Sequence, residues 1–419
     1  MASATLVKLP SSASFANTCI DCNRSTDESP QSTCPAIVAL QDNNPVDLRP
    51  FICNSVLPTM APAPTSPNTL CVHLPDRWRH QMKAWLLNDF GLDNLVLGEA
   101  QTPVPKAGEL LVKVGAVSLN FRDKAIVDGI YEPHRVPKPL IPVSDAAGTV
   151  VAVGEGISRF AVGDRVNSHL YSRWIDGPPR PDEPDYCFGS PLPGGLAEYM
   201  IIHEQSAVRA PEAMSDEEAA TLPIAALTAW YALVDFGQIE AGQTVLVQGS
   251  GGVSIFAAQI ATALGANVIA TSSKDENLQA VKALGAVAGV NYRTHPEWAE
   301  EVLKLTDGKG VDLLLDVAGG DGINQSIAAT KAGGRIAQIG FLTGQTSALN
   351  LMPMIFRQTT FRGIAVAPRS SFDRMNAFLN EHRIRPVIDH VYPFEQAREA
   401  YEHLARGAFG KVVIKVAQA

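Results

Sequence analysis

Cysteine is scarce where the chain reads as folded: of six, Cys19, Cys22, Cys34, Cys53 and Cys71 fall in the first segment, and Cys187 alone follows. A disulfide framework is excluded for the body. Cys19 and Cys22 form a CxxC, but no second CxxC or nearby His pair completes a zinc site, and incidental cysteines in a flexible tail are the reading preferred. Positive charge is also in deficit, with 34 Lys and Arg against 43 Asp and Glu and a net charge of −9. Nucleic-acid affinity rests on clustered cations that release counterions, so no nucleic-acid partner is expected. Long apolar runs are missing too: residues 222–234 are interrupted by Pro, Thr, Trp and Tyr well short of the roughly 20 residues that span a bilayer. No membrane partner is expected, and a soluble, cytoplasmic protein is. The start of the chain lacks the basic, then apolar pattern of a secretory signal, and Asp21, Asp27 and Glu28 do not suit a mitochondrial presequence.

What is present is length and core. With 419 residues, 46% of them hydrophobic, the chain supports two folded units plus extra length. Residues 1–80 are rich in Ser, Thr, Pro and Asn and include Met60-Ala-Pro-Ala-Pro-Thr-Ser-Pro67, a composition that cannot offset chain entropy, so a disordered N-terminal extension is expected. Met60 and Met82 are candidate alternative starts. From 81 to 209, apolar and β-branched stretches at 83–87, 109–117, 148–153 and around 165–168 predict a β-rich domain. From 210 to 364 short apolar runs alternate with Ala-rich helical stretches, the pattern of a parallel sheet with crossover helices. Strands are expected at 244–248, 267–271, 311–317 and 335–340, with helices at 253–264 and 274–284. The closing part, 365–419, reads as a helix, a strand at 387–392, a helix at 395–404 and a strand at 411–416.

The stretch Thr244-Val-Leu-Val-Gln-Gly-Ser-Gly-Gly-Val-Ser254 sets glycines directly after a buried strand and before a helix. A dinucleotide pyrophosphate requires that setting, because the backbone must approach the phosphates closely and the helix N-terminus offers free N–H groups and a positive dipole. Gly249, Ser250, Gly251, Gly252 and Val253 are therefore the candidate phosphate-binding residues. Ser254 stands where a third Gly or Ala is usual and is small enough to keep the helix against the sheet. A tight turn without a ligand is the competing reading, and the flanking strand and helix count against it. An NAD site places Asp or Glu at the end of the second strand, about 20 residues on, to bind the ribose 2′-hydroxyl. Here that position reads Thr271-Ser-Ser-Lys274. Ser272, Ser273 and Lys274 suit a 2′-phosphate, which a carboxylate would repel, while Asp275 and Glu276 suit the first turn of a helix. NADPH is expected rather than NADH.

With Ser118-Leu-Asn-Phe-Arg-Asp123, Asp145-Ala-Ala-Gly-Thr-Val150, Val162-Gly-Asp-Arg-Val166, Gly194-Gly-Leu-Ala-Glu-Tyr199, Leu222-Pro-Ile-Ala-Ala-Leu-Thr-Ala-Trp-Tyr231 and Gly410-Lys-Val-Val-Ile414, the chain from about residue 82 onward resembles the medium-chain dehydrogenase/reductase superfamily. Within it the resemblance is to the zinc-independent branch of quinone oxidoreductase-like, alcohol dehydrogenase-like and enoyl reductase proteins. The fold it implies is α/β: a Rossmann doubly wound parallel sheet at 210–364, and a GroES-like β-rich substrate domain whose parts are 81–209 and 365–419. It also implies a homodimer acting on a small molecule.

Zinc-dependent members hold their metal with Cys, His and Cys, and the matching positions here are Asn120, Ser144 and Ile224. The four-cysteine structural lobe is reduced to Cys187, and His134 and His169 read as ordinary surface or core histidines. No zinc is expected. Without a Lewis acid to stabilise an alkoxide, conjugate reduction of an enone or quinone is the expected chemistry. Alcohol or aldehyde dehydrogenase activity is the alternative, and a non-catalytic NADPH-binding protein a third reading. The resemblance puts Asn120 and Thr228 beside the nicotinamide as catalytic candidates; locally, Asn120 equally suits a turn cap and Thr228 an ordinary helix position. Asp123 either orients its neighbours or caps the helix that follows. The resemblance adds Tyr292 and Arg406 on the adenosine-phosphate side and Lys411 near the pyrophosphate, although Lys411 equally suits a surface charge at the start of the last strand. Where some relatives carry a tyrosine five residues after the Asn, this chain has Ala125, which leaves the proton donor unassigned. The Pro-rich segment 177–193 is either a loop bordering the substrate cleft or a surface insertion.

Overall fold

The computed structural model describes residues 81–417 and, before them, the backbone of Leu40–Gln41 (β1) and Asn44–Pro45 (β2), which pair antiparallel. The chain divides into units Met1–Val72 and His73–Ala419, and both large sheets belong to the second. Apart from the β1–β2 pair, the extension expected over 1–80, with its CxxC and the candidate start at Met60, lies outside the described residues.

The second unit opens with the hairpin Gln81–Leu87 (β3) and Leu95–Gln101 (β4). Glu109–Leu119 (β5) then becomes the hub of a seven-stranded sheet. It is nearly all apolar and buried because it pairs on both sides: with Asp145–Val153 (β6) on one edge, and on the other with Tyr199–His203 (β8) along its first half. Between β5 and β6 runs the short helix Phe121–Val127 (α1). Arg165–Asn167 (β7) and Val208–Arg209 (β9) extend the sheet beyond β6.

Asp216–Phe236 is one helix of 21 residues. It is α-helical at Asp216–Ala219 (α2) and Leu227–Trp230 (α3), and widens to π-helix at Leu222–Ala226 and Tyr231–Phe236. Pro223 lacks an N–H for the regular ladder, and a widened turn is one way a helix absorbs that defect. Contrary to expectation, Pro223, Thr228, Trp230 and Tyr231 do not interrupt the apolar run. The helix is long and apolar enough to cross a bilayer, yet Leu222, Ala225, Ala226, Leu227, Ala229, Trp230 and Leu233 all lie in the protein core.

The six-stranded sheet comes next, as Thr244–Gln248 (β10), Asn267–Ser272 (β11), Ala288–Asn291 (β12), Val311–Asp316 (β13), Thr330–Gln338 (β14) and Thr360–Gly363 (β15). All pairings are parallel, in the order β12-β11-β10-β13-β14-β15. The crossovers are Gly252–Ala263 (α4), Asp275–Ala283 (α5), Trp298–Leu305 (α6), Ile323–Ala329 (α7) and Leu351–Arg357 (α8). Because strand side chains alternate, Val245, Val247, Leu313 and Leu315 join one core, and Leu246, Ile269, Leu314 and Ile336 join another with Trp298, Val302 and Ile327. Each such side chain contributes roughly 1.5–3 kcal/mol by leaving water. The strand order reverses between β10 and β13, and ligands of such sheets bind at that switch, beyond the carboxyl ends of the strands.

Arg369–Glu381 (α9) packs into the first of those cores through Phe372, Met375 and Leu379. The chain then returns to the seven-stranded sheet with Ile388–Pro393 (β16), Ala397–Arg406 (α10) and Lys411–Lys415 (β17). β17 runs antiparallel to the end of β5, with Val412 opposite Leu119. The α/β class and its two sheets are as expected, and the strands and helices fall within a few residues of their predicted bounds.

Candidate active site

At the end of β10 the backbone turns through Gly249, whose φ of +74° suits glycine. A side chain added at Gly249 or Gly251 would meet no atom within 4 Å, so both face open space. Gly251 caps α4 without any side-chain hydrogen bond, and the first intrahelical bond there is from Ile255 N–H to Gly251 O at 3.0 Å. The N–H groups of Gly252, Val253 and Ser254 therefore have no helix partner, and the helix dipole points the same way. Ser254 is buried and donates to Gln248 O at 2.6 Å, which fixes the helix on the strand as a small residue should. The loop is held from outside as well: Gly410 N–H donates to Ser250 O at 2.9 Å, and Asn277 Nδ2 to Ser250 Oγ at 2.7 Å.

The ends of β11 and β12 lie side by side, with Ser272 opposite Asn291 and Tyr292 N–H donating to Ser272 O at 3.1 Å. This brings Ser272, Ser273, Lys274 and Tyr292 into one cluster. Ser272 is buried, and its hydroxyl oxygen accepts the Lys274 N–H at 3.3 Å, so the exposed members are Lys274 and Tyr292, with Ser273 half-buried between them. Asp275, the nearest carboxylate, accepts from Asn291 Nδ2 at 2.8 Å. Arg406 lies on the last turn of α10, 3.9 Å from Glu402; among the described residues no hydrogen bond or ion pair joins it to the cluster.

The other end is built where β5, β6, β17 and the apolar helix meet. Asn120 follows β5 and precedes α1. The cap of α1 is made by Asp123, whose Oδ2 accepts the Asn120 N–H at 2.8 Å, while its Oδ1 accepts from Ser144 N and Oγ at 3.1 and 3.2 Å. Asp123 thus does both things foreseen for it, capping and orienting. The Asn120 side chain is left for other work: Nδ2 donates to Asp145 Oδ2 at 2.8 Å, and Oδ1 accepts from Lys411 Nζ at 2.6 Å. Reversing the amide would set NH₂ against an ammonium and C=O against a carboxylate, so the two charges fix its direction. Lys411 is buried, not a surface charge, and also donates to Leu119 O at 2.8 Å. Its stem lies over the phosphate loop, where a Cβ on Gly252 would sit 2.5 Å from Lys411 Cδ and 3.2 Å from Ala225 Cβ. Thr228, three residues beyond Ala225, is buried on the same helix.

Asp145 was not singled out by sequence reasoning, although it opens one of the motifs. It is fully buried; Oδ2 also accepts from Ile224 N–H at 3.3 Å, and Oδ1 has no partner among the described residues. Burial pushes its carboxyl up to about 7, against the pull of Lys411, whose own pKa burial lowers. Also missed was Asp316, which shapes the turn at the end of β13 by accepting from Ala318 and Gly319 N–H at 3.1 and 2.9 Å and from Ser326 Oγ at 2.7 Å. Phe341, after β14, packs edge-on to Phe121 at 5.3 Å and stacks over Tyr131 at 6.0 Å, setting aromatic surface beside Asn120.

At the zinc-type positions, Ser144 joins Asp123 and Arg122, Asn120 is engaged as above, and Ile224 offers hydrocarbon. His169 is buried with its ring nitrogens 2.8 Å from Tyr171 O and Ala367 O; His134 is exposed beside Glu132. Among the described residues no group of three or more His, Cys, Asp or Glu is placed to hold a metal. Two clefts lie away from Asn120 and the Gly249 loop. One, about 970 Å³, is lined by Arg165, Arg209, Asn376 and Arg385; the other, about 710 Å³, by Met82, Ile141, Arg180, Phe188, Leu192 and Tyr199. The Pro-rich segment 177–193 borders the second, and Arg122 ties it towards Asn120 by donating to Phe188 O at 3.1 Å and Ser190 O at 2.8 Å.

Residues 252–381 match the zinc-binding dehydrogenase family and residues 106–212 the alcohol dehydrogenase GroES-like domain family. The chain is 40% identical over 336 residues to a zinc-type alcohol dehydrogenase-like protein of Schizosaccharomyces pombe, covering 78% of this chain and 96% of that one. It is 30% identical over 326 residues to the quinone oxidoreductase of Sus scrofa, covering 74% and 90%. A crystal structure from Sinorhizobium meliloti, provisionally assigned as an alcohol dehydrogenase, superposes with a TM-score of 0.74 at 40% identity, over 80% of this chain and 99% of that one.

Proposed function

We propose, from the premise that this chain belongs to the medium-chain dehydrogenase/reductase superfamily and is an NAD(P)H-dependent oxidoreductase, that it uses NADPH to reduce the activated double bond of an enone or quinone without a metal. The observation that carries this reading is the Asn120 amide, held between Asp145 and Lys411 with its donor side fixed. Hydride addition to the β-carbon of an enone spreads negative charge to the carbonyl oxygen, and a preoriented N–H donor stabilises that charge without reorganising. The second Nδ2 hydrogen of Asn120 is the group assigned to it. Zinc-dependent relatives polarise a simple carbonyl with the metal, and an amide, a hydroxyl and a hydrocarbon chain are not the ligand set zinc takes. Likeness to the quinone oxidoreductase of Sus scrofa supports the reading, and likeness to the zinc-type alcohol dehydrogenase-like protein supports the alternative.

When bound, the cofactor supplies hydride. Gly249, Ser250, Gly251, Gly252 and Val253 fit its pyrophosphate, because the open space over Gly249 and Gly251 and the N-terminal N–H groups of α4 are what phosphate oxygens need. Lys274 and Tyr292, with Ser273, suit a 2′-phosphate, and the Asp275 carboxylate that follows is engaged by Asn291 Nδ2. Thr228, buried on the helix whose Ala225 lies against Gly252, is assigned to the nicotinamide side, and Phe121, Tyr131 and Phe341 offer aromatic faces to a flat unsaturated substrate. Turnover with NADPH over a set of enones, quinones, aldehydes and alcohols tests the reading; activity confined to aldehydes and alcohols would favour the alternative.

The proposal extends to a homodimer. β15 is an outer strand whose four residues are all exposed, and α8 beside it exposes Leu351, Met352, Ile355 and Phe356, the last 75% exposed. An unpaired edge next to an apolar helix is a surface that a second copy covers by strand pairing about a two-fold axis.

A further inference from the structure

We infer that Lys411 is a positioning residue: it does not take the cofactor phosphate but locks the Asn120 amide and transmits the state of the phosphate loop to it. Three observations carry this. Lys411 is 2% exposed, and two of its three N–H groups are spent on Leu119 O and Asn120 Oδ1. Its Cδ rests on Gly252, so a shift of the loop displaces the lysine stem and, through 2.6 Å of hydrogen bond, the amide. Its backbone neighbour Gly410 is bonded to Ser250 O, and Gly410 and Gly251 are paired as a parallel bridge, so the start of β17 moves with the loop. Without the lysine donor, Asp145 alone holds the amide, so Asn120 is no longer pinned at its carbonyl and its remaining N–H is not kept aimed at the substrate oxygen.

The inference rests on the reading of Asn120 as the donor to substrate, and its test separates the two. In the full-length enzyme, Lys411→Met is expected to leave the NADPH dissociation constant, from cofactor fluorescence, within about threefold of the parent. It is expected to lower kcat for cyclohexenone or duroquinone about 100-fold, the scale of a misplaced reacting group. Because Lys411 acts through Asn120, the double variant Asn120→Ala/Lys411→Met is expected to lose no more than Asn120→Ala alone. A tenfold weaker NADPH affinity with kcat retained would overturn the inference in favour of a phosphate contact, and so would losses that multiply in the double variant. If Lys411→Met leaves Asp145 uncompensated and the protein does not fold, Asp145→Asn/Lys411→Met removes both charges and is read the same way. Should the parent reduce neither probe, the functional reading fails alone. Lys411 is then tested by hydrogen exchange of the Asn120 side-chain amide after selective nitrogen labelling: exchange at least about tenfold faster in the variant supports the lock, and unchanged exchange overturns it.

Discussion

Asn120 Nδ2 donates to Asp145 Oδ2 at 2.8 Å, and the same carboxylate oxygen accepts the Ile224 N–H at 3.3 Å, so the turn after β5 and the widened apolar helix share one buried acceptor. The amide is therefore held by both sides of the site. Asn120→Ala removes the fixed donor and is expected to lower kcat with an enone or quinone by about 10²–10³-fold, with NADPH affinity little changed. Steady-state kinetics together with cofactor fluorescence check this, and an unchanged kcat would return Asn120 to a structural role.

The cofactor end carries a separate prediction. Lys274 is an exposed cation of the cluster with Tyr292 at the ends of β11 and β12. Lys274→Ala is expected to raise KM for NADPH roughly tenfold, the scale of a lost charge-assisted hydrogen bond, and to leave KM for NADH unchanged. Parallel titrations with the two cofactors decide it; an equal effect on both would remove Lys274 from the 2′-phosphate site.

The pH dependence of stability has a definite sign. Asp145 rises from an ordinary 3.8 to about 7 in the fold, so between those values the folded state binds more protons than the unfolded state. Its contribution is complete in acid and is lost as pH rises through about 7. Lys411, lowered by burial, acts in the opposite sense, with stability returning as pH rises from its lowered value towards 10.5. Asp145→Asn is expected to flatten the fall between about pH 4 and pH 7. Urea unfolding of parent and variant at several pH values measures it, and parallel slopes would contradict the assignment.

Local chemistry was legible in the sequence; its long-range consequences were not. The strand, glycine turn and helix from Thr244 to Ala263 are written in contiguous residues, so β10, the loop and α4 fall almost where the pattern places them. The seven-stranded sheet is closed by pairing β17 with β5, nearly 300 positions apart, as the Ser118 Oγ to Val412 O contact records with its separation of 294. That pairing turns Lys411 from one of two open readings into a buried partner of Asn120, and it gives Asp145 its role. Ser272 reads as a ligand hydroxyl in the sequence, but the turn after it draws it inward. Taken one by one, Pro and the aromatic residues read as interruptions of helix 216–236, whereas π-helical widening carries the chain through them.

The exposed apolar edge carries a prediction about assembly. Phe356→Asp places a charge in the surface formed by α8 and β15 and is expected to convert a dimer to monomer, and to leave binding at the proposed NADPH site unchanged. Sedimentation of parent and variant tests this. A parent that sediments as a monomer would contradict it.

Where the hydride goes separates conjugate reduction from carbonyl reduction most directly. An α,β-unsaturated ketone reduced with NADPH deuterated at C4 of the nicotinamide, in the presence of a strong zinc chelator, yields a product whose label is located by NMR. The expected product is a saturated ketone with deuterium at the β-carbon, formed at a rate unaffected by the chelator. Deuterium on a carbinol carbon, or activity abolished by chelation and restored by zinc, would contradict metal-free conjugate reduction.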